Sequence, residues 1–358
     1  MAQSTGYSVY LAYADECLRR RGMDGSSIFR AAGITDPGQI GVGLRLPEEI
    51  LAHVVRRLNR HPRLEDFFLE LGAAVPVTAH GNLGLAFMAC DNAHQVLSLL
   101  ARFAPIALPG VRAELHEEGA DTLLRIHTSA RYPEFSSAIA QALLVNVVVS
   151  LGRLVGRPIM PSAAALVQRE PSCSDRFQEW IKAPICFNAE SDSLTFRRSE
   201  LEAKVLSADP VNLRLLLLQC EKELDEVQTR TGLMDRVRET LALNVAENHS
   251  IVWLAARLSM SERTLRRRLQ EEGVGFRELL QTVRHDLAMH YLRDTDARID
   301  RIADRLGYRD AACFRQTFSK KTGLSPRAWR QKRIGLPGSD TETGGAGVYA
   351  AGSDDPAD

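Results

Sequence analysis

Cysteine is scarce in this chain of 358 residues, and its six copies, Cys17, Cys90, Cys173, Cys186, Cys220 and Cys313, include no CxxC pair. They read as reduced, small apolar residues, which excludes a disulfide framework and a thiolate zinc site. The nine histidines lack metal-ligand spacing as well: His285 and His290 are five apart, and His116 and His127 lie on separate segments. Neither a structural metal nor a cofactor is expected. Also missing are a glycine-rich phosphate loop, a GxSxG elbow and an HExxH helix, so nothing in the sequence places a nucleophile, base and stabiliser together. No apolar run approaches the ~18 residues of a membrane span; Leu143 to Leu151 is apolar but short, and Leu215 to Leu218 is shorter. Met1 to Tyr13 lack the basic start and apolar core of a signal peptide, which predicts a cytoplasmic protein.

An excess of charge of either sign is missing too, with 45 Lys and Arg against 45 Asp and Glu. The balance is uneven along the chain. Between Ile251 and Ile334 there are 19 basic and 10 acidic residues, a net of +9, so the remainder carries −9. A segregated basic module inside a neutral chain suits a polyanion partner and argues against a nonspecific coating protein.

What the basic segment does contain is one pattern twice. Apolar residues at i, i+3, i+4 and i+7 open each copy, as Ile251, Leu254, Ala255, Leu258 and as Ile299, Ile302, Ala303, Leu306. That spacing is one buried helical face. A short turn follows, then a capping side chain, Ser261 or Asp310, whose oxygen accepts from the free amides of a new helix. The second helices anchor by Leu265 with Leu269 and by Phe314 with Phe318. In the second turn Gly307 takes positive φ cheaply, whereas Ser259 at the matching place does not. These are two helix-turn-helix motifs, expected over 251–272 and 299–322.

Between them, Phe276, Leu279, Leu280, Val283, Leu287 and Tyr291 keep helical spacing over 19 residues from Gly275 to Arg293, a rod of roughly 28 Å. Such a rod holds two reading helices about one DNA turn, near 34 Å, apart, so both enter successive major grooves. The first reading helix presents Arg263, Thr264, Arg266 and Arg267, with Arg268 nearer phosphate or solvent. Arg263, Arg266 and Arg267 share the face opposite Leu265 and Leu269, and their forks suit guanine O6 and N7.

Over about Leu233 to Arg333 the chain resembles the AraC/XylS transcription regulators. The matching residues are Ile299 to Leu306, Gly307-Tyr308, Phe314, Phe318, Lys320-Lys321, Gly323, Ser325-Pro326 and Trp329-Arg330. Gly323 suits a left-handed helix stop, Ser325 a cap and Pro326 a first helical turn. The resemblance implies that Arg263, Arg266 and Arg267 occupy base-contacting positions. Two departures mark the second reading helix: its usual serine-rich start is Asp310-Ala311-Ala312-Cys313, and the arginine common three residues beyond is Gln316, with Arg315 beside it. Ala312, Cys313, Arg315 and Gln316 are its candidate DNA contacts, weaker as readers than the arginines of the first helix.

The upstream two hundred residues have mixed periodicity. Helices are expected over Tyr7 to Arg20, Pro47 to Leu58, Leu64 to Leu71, Ala93 to Phe103 and Phe135 to Val155. Val111 to Glu117 and Thr122 to Thr128 alternate as a hairpin joined by Glu118 to Asp121, and Ala163 to Val167, Ile185 to Phe187 and Ser193 to Phe196 look like further strands. The order predicts an α+β domain with helices on a small antiparallel sheet. From Ile28 to Pro210 it resembles the ligand-binding domain of the ornithine-utilisation regulator type, through Leu46-Pro47, Gly81 to Gly84 with Ala86, the helix through Leu97, Leu100 and Phe103, and Phe187-Asn188-Ala189. An effector pocket there is expected to be apolar with few polar groups, for which His80 and Asn82, at a glycine-flanked turn, and Arg102 are candidates.

Pro210 to Val227 is amphipathic, with Leu213, Leu216, Leu217, Cys220, Leu224 and Val227 on one side, either a dimer stripe or a core helix. The expected layout is a sensing domain over 1–209, a connecting helix and linker over 210–232, a DNA-binding domain over 233–334 and a disordered tail over 335–358, which has five acidic and no basic residues. The implied partners are double-stranded DNA and a small-molecule effector, with RNA polymerase and a homodimer of this chain as further candidates. Two other readings stay open: an enzyme or carrier domain fused to DNA-binding helices, and a regulator that needs no ligand.

Overall fold

The computed structural model describes residues 8–32, 34, 48–108, 110–128, 133–230, 233–246 and 250–334. The expected tail, Tyr7, Pro47 and the end of the linker at 231–232 lie outside these.

The N-terminal body opens with α1 (Ser8–Arg20), α2 (Gly25–Ala31), α3 (Glu48–Arg60) and α4 (Phe67–Ala74). A 3₁₀ turn, Val77–His80, leads into α5 (Gly81–Ala89), and α6 (Ala93–Ala107) follows. Asn92 caps α6 by accepting from the Gln95 amide. Next come β1 (Val111–Glu118), β2 (Asp121–Thr128) and the long α7 (Pro133–Val155). Then come β3 (Ala163–Ala165), α8 (Ser174–Ile181), β4 (Ile185–Cys186), β5 (Asp192–Arg197), the short α9 (Arg198–Leu201) and α10 (Pro210–Arg230).

The sheet order is β1-β2-β5-β3-β4. β1, β2, β5 and β3 pair antiparallel, with Leu115 opposite Leu124 and Leu124 opposite Leu194. The expected antiparallel sheet is therefore mixed, because β3 and β4 pair in parallel. A parallel pair needs a crossover, and the segment carrying α8 supplies it. On β2, Thr122, Leu124 and Ile126 point inward, the alternation of a half-buried strand.

α7 is the spine of this body. Its window Ser136–Val155 has mean hydropathy 1.9, enough by length and composition to cross a membrane, although Gln141, Asn146, Ser150 and Arg153 interrupt the run. Two thirds of it is buried in the fold, which is how a core helix of this composition is accommodated. Against its first half stand α1, α3 and α4, and against the rest the sheet, α5 and α6. α4 approaches closely at Gly72, where a Cβ would lie 2.1 Å from the Ala142 carbonyl oxygen. Arg21, in the turn after α1, bridges Asp66 and Glu70, and Arg176 on α8 reaches Asp66. α10 buries Leu213 and Cys220 against the main core, with Leu216, Leu217 and Leu224 packed beside them. The amphipathic side is thus a core face, and Val211, Leu215 and Leu218 are exposed.

The C-terminal body comprises α11 (Leu233–Leu243), α12 (Ile251–Arg257), α13 (Glu262–Glu271), α14 (Phe276–Asp294), α15 (Ile299–Arg305), α16 (Ala311–Thr322) and α17 (Pro326–Ile334). Two small cores form around the two helix pairs. Leu254, Leu265 and Leu269 meet Leu279, Leu280 and Val283 of α14 in one. Ile302, Phe314 and Phe318 meet Ala288 and Leu292 of the same helix in the other, and Leu287 touches both.

Candidate functional site

Both reading helices begin as their caps dictate. The Ser261 hydroxyl accepts from the Thr264 amide at 3.1 Å, and Asp310 accepts from the Cys313 amide at 2.7 Å. The Thr264 hydroxyl is itself tied to Ser261, at 2.8 Å. Leu265 and Leu269 are buried, which turns Arg263, Arg266, Arg267 and Arg268 out to solvent on α13. Arg266 is paired with Glu262 at 2.7 Å and Arg267 with Glu271 at 2.6 Å, each one turn away along the helix. These exposed i, i+4 pairs are worth only about 0.3–0.5 kcal/mol. They park the guanidiniums on the outer face without competing seriously with a guanine edge or a phosphate.

On α16 the buried pair is Phe314 and Phe318, whose rings pack on Tyr308 and Trp329. Ala312, Arg315 and Gln316 are exposed and Cys313 is half-buried. Arg315 borders a cleft of about 560 Å³ that also holds Arg298, Arg327 and Arg330, with Asp296 and Asp300. Gly323 stops α16 at φ 73, the Ser325 hydroxyl accepts from the Ala328 amide, and Pro326 starts α17.

The two bodies touch at the C-terminal end of α14. The Arg169 amide donates to the Asp294 carbonyl at 2.6 Å and its guanidinium to the Arg293 carbonyl at 2.7 Å. The Asp296 amide donates to the Asn188 side chain at 2.9 Å. Beneath these lies Asp192, whose carboxylate accepts from the Val167 amide at 2.9 Å and faces His290. His290 Nδ1 lies 2.8 Å from Asp294. Although burial pushes the Asp294 carboxyl up, the hydrogen bonds from Arg293 and His290 hold it below the usual range.

In the N-terminal body a cavity of about 110 Å³ opens between α1, α3, α4 and α7. Among the described residues its walls are aliphatic apart from Phe68, Tyr10, His80 and Asn146. The Tyr10 hydroxyl lies 2.9 Å from His80 Nδ1, and His80 Nε2 lies 3.3 Å from Asn146 Oδ1. Of the three residues singled out from the sequence, only His80 faces this space. Asn82, in the first turn of α5 and not in a bare turn, donates to Glu223 of α10, and Arg102 pairs with Glu221 of α10 at 2.8 Å. Both tie α10 to the rest of the N-terminal body. Tyr10 and Asn146 escaped the sequence reading; Asn146 is an amide inside an apolar run, a signal that was there to be used. Among the described residues no group of three or more His, Cys, Asp or Glu is placed to hold a metal ion.

Comparison with known proteins agrees with this geometry at both ends. The arabinose-binding domain of AraC transcription regulators, N-terminal, matches residues 22–205, just over half the chain, and a helix-turn-helix domain matches residues 254–332. The chain is 27% identical over 263 residues to the ornithine utilization regulator of Pseudomonas aeruginosa, covering 74% of this chain and 78% of that one. It is 27% identical over 276 residues to the HTH-type transcriptional regulator VqsM of the same organism, covering 73% and 82%. The crystal structure of the P. aeruginosa regulator CdpR is similar over 90% of this chain and 98% of that one, with 25% identity and a TM-score of 0.43. The chain belongs to the AraC family of transcription regulators, with a ligand-binding N-terminal domain ahead of a helix-turn-helix DNA-binding domain.

Proposed function

We propose that this regulator is a cytoplasmic, non-enzymatic protein that reads DNA chiefly through α13 and answers to a small-molecule effector. The observation that carries it is the exposed arginine face of α13, with Leu265 and Leu269 locked behind it. Arg263, Arg266 and Arg267 are the base readers in this reading. Thr264, engaged in the cap, steadies the helix start and reaches phosphate. α16 presents Ala312 and Cys313 where polar readers are usual, so it serves mainly to position the module. Its amino-terminal amides and Arg315 meet phosphate, and Gln316 reads at most one or two base pairs. The proposed layout keeps the sensing domain at 1–209, the connecting segment at 210–232 and the DNA-binding domain at 233–334. RNA polymerase and a second copy of the chain are proposed partners, the latter through the exposed Val211, Leu215 and Leu218 of α10.

Control then follows as a shift between arrangements of the two bodies, with the contact at the end of α14 made in one and altered in the other. For catalysis the cavity offers Tyr10, His80 and Asn146, each already committed to a hydrogen bond.

The test is selection of genomic fragments retained by the full-length protein, then substitution of every base pair in the bound site. Losses should be sharp in one half-site and shallow in the other, about one helical turn away. Arg263→Ala or Arg267→Ala should cost ~1 to 3 kcal/mol on the selected site and relax preference at particular positions. Uniform weakening on every sequence would make these arginines phosphate contacts. Equally sharp losses in both half-sites would make α16 a full reader.

A further inference from the structure

The polar wall of the cavity has a fixed direction. Asn146 Nδ2 donates to the Gly72 and Val75 carbonyls, 2.9 Å to each. Its Oδ1 is therefore the atom turned to His80, and being an acceptor it requires the proton on Nε2. Nδ1 is left to accept from the Tyr10 hydroxyl. Burial lowers the His80 pKa, so the ring is the neutral imidazole that this chain of bonds demands. From Tyr10 to Asn146 the wall is uncharged.

Behind it lies a second cavity of about 40 Å³ that shares His80, Leu108, Leu143 and Asn146 with the first. Besides His80 and Asn146 it holds Ser150, one helical turn beyond Asn146 on α7, 8% exposed, with an Oγ that has no hydrogen-bond partner. A buried hydroxyl without a partner is rare, and in a helix one ordinarily turns back to the carbonyl four residues earlier. Among the described residues no Lys, Arg, Asp or Glu lines either cavity.

Building on the reading of this domain as the effector domain, we propose that the effector is a neutral, mainly apolar molecule with one uncharged hydrogen-bonding group, a hydroxyl or a carbonyl. Its body fills the larger cavity between α1, α3, α4 and α7, and its polar group reaches along the His80–Asn146 wall to Ser150. A carboxylate or ammonium there would be buried without a counter-charge, which apolar surroundings penalise heavily. A sugar would bring several hydroxyls to a wall whose donors are already committed. Size agrees: a dry cavity of about 150 Å³ accommodates benzene, so these two spaces suit a chain or ring of about six carbons.

The experiment uses the full-length protein with 1-hexanol, hexanoate, hexylammonium, a zwitterionic diamino acid and a pentose as probes, binding being read by saturation-transfer NMR and calorimetry. Hexanol should bind saturably, and the charged and polyhydroxylated probes at least tenfold more weakly. Val55→Phe, which fills the larger cavity from the half-exposed α3, should abolish hexanol binding. Ser150→Ala, too small a change to threaten folding, should weaken it severalfold while leaving the binding of hexane, added as an apolar control probe, unchanged. Hexanoate or the diamino acid binding as tightly as hexanol would overturn the proposal, as would hexanol binding indifferent to both substitutions. DNA affinity, measured on a genomic fragment the protein retains, separates the two levels. Hexanol that binds without moving DNA affinity upholds the ligand class and overturns the effector reading. A diamino acid that moves DNA affinity equally in the wild type and in Val55→Phe upholds the effector reading and overturns the ligand class.

Discussion

Asp192 keeps a carboxyl group out of water at the junction of the two bodies, 8% exposed. Burial raises its pKa to about 6, against the pull of the Val167 amide and of His290. Raised from an ordinary value of 3.8, it makes the folded protein hold a proton that the unfolded chain has released. The sign is then fixed: this group's contribution is greatest below about pH 4 and is lost as pH rises towards 6 and beyond. Asp192→Asn keeps the acceptor for Val167 and removes the titration. It should stabilise the protein by roughly 1–3 kcal/mol at pH 7.5 and hardly at all at pH 4. Denaturant unfolding at the two pH values checks this, and an equal gain at both would show that the stabilisation does not come from the Asp192 titration. Single residues differ in how far sequence exposes them. The arginines of α13 declare themselves, because helical period and the leucine pair decide which way they point. Tyr10, Asn146 and Ser150 do not, since their meeting depends on α1, α4 and α7 packing across well over a hundred residues of chain.

Elements with local causes were the legible ones. Both helix-turn-helix pairs, their caps, the hairpin and the long α7 follow from period, capping chemistry and turn length. α5 was hidden by its glycines, which look like a turn. Gly84 is instead a place of close approach, where a Cβ would meet the Val77 carbonyl oxygen at 1.9 Å. The parallel pairing of β3 with β4 was hidden for a different reason, since strands two and three residues long carry almost no pattern of their own. The two turns of the repeat give the clearest contrast. Gly307 lies at φ 69, and a Cβ there would fall 2.5 Å from the Val245 carbonyl oxygen. Ser259 takes a similar φ of 55 with an ordinary side chain, exposed to solvent. Ser259→Gly should therefore stabilise the C-terminal domain by about 0.5–1 kcal/mol, the strain relieved less the added freedom of the unfolded chain. Gly307→Ala should destabilise it by about 2 kcal/mol or more. Thermal unfolding of the two variants decides the matter; shifts of the same sign would refute it.

At the scale of the whole molecule, charge and contact pull apart. The basic excess of +9 lies after Ile251, whereas the two bodies dock through the Arg169 guanidinium, the Asn188 side chain accepting from the Asp296 amide, and the Ala189 carbonyl accepting from Arg305. A fragment of residues 233–334 should accordingly bind DNA with steep salt dependence, and a fragment ending before it should not bind. Filter binding across salt concentrations tests this. A flat salt response, or DNA binding by the N-terminal fragment, would place the boundary elsewhere. The mutual docking of the bodies was not legible in the sequence, because the Arg169 and Asn188 side chains meet backbone carbonyls and amides, which carry no sequence signal.

α14 carries one further consequence. As its two ends belong to two different cores, it sets the angular phase of one reader against the other as well as their separation. One inserted residue would turn the second reader by about 100° and advance it about 1.5 Å. Seven would nearly restore the angle, but would add about 10.5 Å, or some three base pairs, over which the double helix itself turns far out of register. Protein and DNA are helices of different pitch, so no small change in this rod can be answered by respacing the half-sites. On the reading proposed above, its 19 residues act as a tuned ruler that leaves the target site free to vary in its bases and not in its spacing.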